Sequence, residues 1–134
     1  MKTETLRQAV ELAGKLGHLL VATVGLDGMP HVAAAGKISQ NGESVEVTAW
    51  FCPATVENLR SSKAVALVVW DPESDRGYQL LGRAEEVTEV AQLDGYLPEL
   101  EDRTTLPQVE RRLLIRVKAI LVFRHGPHSD IEPD

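Results

Sequence analysis

The chain has 134 residues, 43% of them hydrophobic, enough to bury the core of one domain and too few for two of ordinary size. Fourteen basic against 20 acidic residues leave a net charge of −6, which argues against a nucleic-acid or membrane-surface binder, since either shows a basic face. The lone cysteine, Cys52, excludes an intrachain disulfide and a thiolate-rich zinc site.

Leu6, Ala9, Val10, Ala13 and Leu16 recur at helical spacing and predict a first helix over residues 4–16, closed by Gly17. Residues 18–24 then read as a strand, followed by Gly25-Leu-Asp-Gly28 turn chemistry. A second strand is expected over 31–39 and a third over 44–51, joined by an Asn41-Gly42 hairpin turn. Val56 and Leu59 suggest a short helix that Thr55 caps. The next seven residues, 64–70, are apolar on both faces, as in a doubly covered strand. A fifth strand runs over 77–87, with Gly82 marking a bulge or a close approach of backbones. Helical spacing returns over 90–97, and residues 101–108 read as loop. Period-two alternation over 111–124 gives a sixth strand, and the polar tail 125–134 is expected to be flexible.

The order α-β-β-β-α-β-β-α-β with hairpin connections is an α+β class, a single domain over 1–124, and six strands with so few helices suggest a closed or nearly closed barrel. The N-terminus has no signal-like apolar core, and the longest apolar run, seven residues, falls far short of the roughly 20 that span a bilayer, so a soluble, cytoplasmic protein is expected.

Catalytic motifs are sparse. There is no nucleophile elbow, phosphate loop or dinucleotide fingerprint. His125, His128 and Asp130 sit in the tail and read as ordinary polar residues rather than metal ligands. Cys52 reads as a half-buried spacer, and His18 and His31 as satisfied polar strand ends.

The succession HLLVATV, GLDGMPHV, VEVTAWF, ATVENLRSSKAVALVVW and YQLLGRAEEV resembles the pyridoxamine 5'-phosphate oxidase-like family of FMN-binding split barrels, most closely its short members. That resemblance implies a six-stranded antiparallel split β-barrel, homodimeric, with FMN in a groove between the subunits. It further implies that Lys37 and Thr55 face the phosphate, and that the main chain around Thr48, Ala49, Trp50 and Phe51 runs along the flavin ring. Trp50 or Phe51 either packs on the ring or belongs to the core. Asn58 matches an asparagine of the family's short helix, and Arg76 and Gln79 would reach the flavin from the partner subunit. The activity implied is that of a flavin-dependent oxidoreductase, using NAD(P)H or a small redox substrate, and no nucleic acid or membrane. A non-catalytic flavin carrier or sensor, or a barrel using deazaflavin, haem or no cofactor, stands as the alternative.

The chain departs from the family at Ala54, where a basic residue is usual, and at Val32-Ala33-Ala34-Ala35, where polar or basic phosphate ligands are usual. Each missing charge-assisted contact costs about 1.5–3 kcal/mol, roughly one to two decades of affinity.

Overall fold

A computed structural model describes residues 3–93 and 108–133. Helix α1 (Thr3–Leu16) buries Leu6, Ala9 and Ala13 of the predicted stripe together with Leu12, while Val10 and Leu16 are partly buried at its margin. Gly17 closes it with φ +78°, its N–H donating to Ala13 O at 2.8 Å. Seven strands follow: β1 (Leu19–Val24), β2 (Pro30–Ala35), β3 (Lys37–Asn41), β4 (Ser44–Trp50), β5 (Ala64–Asp71), β6 (Arg76–Leu93) and β7 (Gln108–Val122), with α2 (Pro53–Ser61) between β4 and β5. They form one antiparallel sheet in the order β2-β1-β5-β6-β7-β4-β3.

Among the described residues, seven strands replace the expected six because the second one breaks at Gly36. Its halves, β2 and β3, form opposite edges of the sheet. One bent segment therefore joins the two edges through the chain itself, rather than through a hydrogen-bond ladder. The corner needs glycine: a Cβ on Gly36 would lie 2.9 Å from the Cβ of Ala49, whose carbonyl accepts from Gly36 N at 2.9 Å. Ala49 itself has φ +58°, and the β4–β7 register shifts between Val47 and Trp50.

The predicted helix over 90–97 is overturned at its start. Val90 belongs to β6, which runs on to Leu93 and pairs with Gln108 there. Cross-strand pairing with β7 outweighs a helical spacing that a bulged strand also satisfies, and the β6–β7 register indeed shifts between Glu89 and Ala91. Residues 94–107, including half of the predicted helix and nearly all of the predicted loop, lie outside the described residues. Gly82 is the close approach that its position in the strand suggests: the register shifts between Leu81 and Gly82, where the Arg116 carbonyl fills the place of a side chain.

The core gathers the inward face of the sheet against α1, with Leu6, Leu19, Leu59, Leu67, Leu80, Leu113 and Ile115 almost fully buried. The other face is apolar as well. Ala34, Leu20, Val68, Gln79 and Leu121 line up across five strands, and Val32, Ala22, Ala66, Leu81 and Ala119 form the next row. Val32 is 60% and Leu20 39% exposed. None of the described helices is long and apolar enough to cross a membrane.

The end of the chain turns back on the sheet. Asp130 N donates to Val122 O, and Val122 N to Ile131 O, both at 2.8 Å. Asp75, in the β5–β6 turn, accepts from the Trp70 indole (2.9 Å), His125 N (3.0 Å) and Gly126 N (2.9 Å). Desolvation pushes its carboxyl upward, but the hydrogen bonds from His125, Trp70 and Gly126 outweigh it and hold the group below the usual aspartate value. A folded-state value below the unfolded one adds stability at neutral pH that disappears as pH falls through the folded value. Urea titrations from pH 7 to 3 should therefore show wild type losing stability more steeply than Asp75→Asn below about pH 5, and parallel curves would remove Asp75 from this role.

Candidate functional site

The corner at Gly36 brings the start of β3, the end of β4 and the start of α2 together. Lys37 and Thr48 face each other across the β3–β4 ladder. Cys52 Sγ lies 3.7 Å from Ala34 O, tying the entrance of α2 to the last turn of β2. Two residues, Ala35 and Gly36, lie between Ala34 and Lys37, so the Lys37 backbone is within about 10 Å of the Ala34 backbone that Cys52 touches.

That start is open. Cys52, not Thr55, is the N-cap residue, and no side chain caps the helix. Pro53 fills the first helical position, where no N–H is required. The N–H groups of Ala54 and Thr55 consequently belong to the unsatisfied first turn, at the positive end of the helix dipole. The expectation that Thr55 caps the helix is corrected here: it sits inside the first turn, fully buried, with its Oγ1 lacking any partner among the described residues. A buried hydroxyl left unpaired costs about 1–3 kcal/mol, which marks Thr55 as a residue the fold alone does not explain.

Asn58, one turn on, donates to Thr23 Oγ1 at 3.0 Å and so pins α2 to β1. Trp50 is a core residue, 2% exposed, with its indole N–H on Val47 O at 3.1 Å. Phe51 is half-buried, and its carbonyl accepts from the Arg111 guanidinium, which also donates to Val109 O at 3.2 Å. Arg111 fixes the chain just before α2. No sequence signal marked it, because its partner is a main-chain carbonyl sixty residues away. His18 Nδ1 meets Leu16 O at 3.2 Å, but His31 Nδ1, expected to be satisfied, is buried without a partner opposite Thr23.

Arg76 and Gln79 lie elsewhere. Both belong to β6, three strands from either β2 or β3. Arg76 stands against Tyr78, its guanidinium 6.0 Å from the ring centroid, and Gln79 sits in the outward apolar row. Within one chain they do not approach Lys37 or α2. Among the described residues, no three His, Cys, Asp or Glu side chains converge on a metal-sized site.

A small antiparallel barrel, closed by a bent strand and carrying an uncapped helix start beside a strand lysine, defines a split barrel with an anion-receptive corner. A family model described as pyridoxamine 5'-phosphate oxidase matches residues 5–125, and the chain belongs to that family. Solved structures share the fold. An FMN-binding protein from Syntrophomonas wolfei superposes with a TM-score of 0.65 at 16% identity, covering 90% of this chain and 86% of that one. A Clostridium acetobutylicum protein related to general stress protein 26 gives 0.64 at 17% identity, covering 93% and 92%. HutZ, a haem storage protein from Vibrio cholerae, gives 0.55 at 16%, covering 92% and 96%. No curated protein matches the sequence significantly.

Proposed function

We propose that the protein binds FMN at a seam between two copies of the chain and serves as a flavin-dependent oxidoreductase acting on a small redox substrate, with NAD(P)H as donor. The observation that carries this is the open start of α2, with the amides of Ala54 and Thr55 unsatisfied and the Thr55 hydroxyl unpartnered, next to Lys37. A helix start of this kind receives a phosphate well, and Lys37 has no carboxylate partner among the described residues. Thr48, Ala49 and Phe51 supply main-chain groups along the same corner. FMN supplies the hydride- or electron-transfer chemistry when bound, and the chain supplies position, shielding and field.

The outward apolar rows support the second copy, since an exposed apolar field of this breadth is typical of an interface. Arg76 and Gln79, remote from the corner in one chain, are then free to reach the partner's flavin. A glutamate placed amid those rows by Ala66→Glu should yield a folded monomer by light scattering. A monomeric wild-type protein would remove the seam.

Ala54 and the Ala33–Ala35 run favour a weaker variant of the same idea, in which FMN is carried without turnover, or deazaflavin or haem takes its place. Absorbance of the purified protein, FMN titration and reduction by NAD(P)H separate these outcomes. Bound FMN that NAD(P)H does not reduce means a carrier. Failure to bind FMN at micromolar protein overturns the proposal.

A further inference from the structure

The outward face of the sheet ends in a cavity of about 600 Å³, within the usual range of small-molecule sites. Its walls are Leu20, Val68, Trp70, Phe123 and His125, with Arg124 at its edge. Trp70 stands edge-on to Phe123, ring centroids 6.2 Å apart at 71°, and to His125 at 6.3 Å and 86°. Among the described residues, no carboxylate lines the space. Arg124 has no acidic partner among the described residues, and it also lines an adjoining cavity of about 350 Å³ that contains Arg76 and Tyr78. The walls are held in place by Asp75, which binds the Trp70 indole N–H and the main chain of His125 and Gly126 at once. Because that carboxylate takes the indole N–H, Trp70 offers the cavity an apolar ring.

We infer that this cavity is a second binding site, distinct from the helix-start corner, for a planar aromatic carboxylate, its ring against the wall that Trp70 and Phe123 form together and its carboxylate on Arg124. Aromatic walls select a flat apolar body. An arginine at the mouth selects a carboxylate, which its paired N–H donors match in geometry. Leu20 and Val68 also belong to the rows assigned to the seam, so the site requires that the second copy leave this end of the face open; it does not require FMN at the corner.

The test uses 2-naphthoate and its neutral counterpart 2-naphthylmethanol with the full-length protein. The chain has two tryptophans, so an ¹⁵N spectrum carries two indole N–H signals, assigned with Trp70→Phe. Naphthoate should shift the Trp70 signal saturably and leave that of Trp50 in place. By calorimetry, Arg124→Gln should weaken naphthoate about tenfold and leave naphthylmethanol unchanged, the loss of one charge-assisted contact. Arg116→Gln, on the same face of the sheet, should change neither. No Trp70 shift at millimolar naphthoate overturns the site, as does an equal loss of both ligands in Arg124→Gln. Competitive displacement of naphthoate by FMN, with parallel weakening of both in Arg124→Gln, overturns the claim of a separate site.

Discussion

Replacing Gly77 by alanine is expected to destabilise the protein by about 2–4 kcal/mol, the cost of forcing a methyl into closed packing. A Cβ there would lie 2.5 Å from Val69 O on one side and 2.7 Å from Phe123 O on the other. Neither atom can swing aside. Phe123 N donates to Gly77 O at 3.0 Å, and Val69 pairs with Tyr78 in the β5–β6 ladder. Accommodation would have to part three strands near their ends. Thermal unfolding should show the midpoint falling by about 10 °C. Gly14→Ala is the contrasting change. Nothing lies within 4 Å of a Cβ built there, in α1, so alanine should raise stability by about 0.5–1 kcal/mol through helix propensity alone. Equal stabilities for Gly77→Ala and wild type would mean that the strands are not packed as closely as described.

The second large effect concerns the corner. Lys37→Ala should weaken FMN by about 1.5–3 kcal/mol, one to two decades in Kd, while riboflavin, which lacks the phosphate, changes by less than about threefold. The alternative phosphate cations of the family are absent here: Ala54 stands before Thr55, and residues 33–35 are alanine. Lys37 should thus carry a larger share of the electrostatic attraction than one cation among several would. Thr55→Val sharpens the test. Removing a buried hydroxyl that has no partner should leave the unliganded protein at least as stable, yet weaken FMN about tenfold if that hydroxyl turns to the phosphate. Fluorescence titrations with both flavins decide it, and equal losses for FMN and riboflavin in Lys37→Ala would take the lysine out of the phosphate site.

Much of the barrel was legible in the residues themselves. The α1 stripe, the Asn41-Gly42 hairpin and the alternation of β7 are local patterns, each set by a repeat of two or 3.6 residues. Gly82 was legible for the same reason, since a glycine inside a strand pattern has few other uses. The break at Gly36 was not. Gly36 sits within an extended run, and the need for a corner arises from Ala49, thirteen residues on and across the barrel. The length of β6 escaped likewise, because Val90 to Leu93 are strand only through their pairing with β7.

The site divides along the same line. Lys37, Thr48, Ala49, Phe51 and Asn58 could be named from family resemblance; the first four lie along the bent end of the β3–β4 ladder and the approach to α2, while Asn58 turns to Thr23 on β1. Thr55 was named for an N-cap position that Cys52 occupies, since cap position depends on where the helix begins and Pro53 sets that three residues earlier. Arg111 and the unpaired His31 were invisible, as each owes its character to a neighbour remote in sequence.

By itself, then, the order of residues determined the helix stripe, the strand count to within one, the antiparallel connections and the acidic, apolar character of the domain. Those properties follow from short-range periodicity and turn chemistry. Tertiary structure alone decided that one bent strand closes the barrel, that α2 opens uncapped beside Lys37, and that the outward sheet face carries an apolar field ending in an aromatic cavity. Each of these depends on which distant backbones meet, and contacts between distant backbones are fixed by packing and pairing rather than by any local run of side chains.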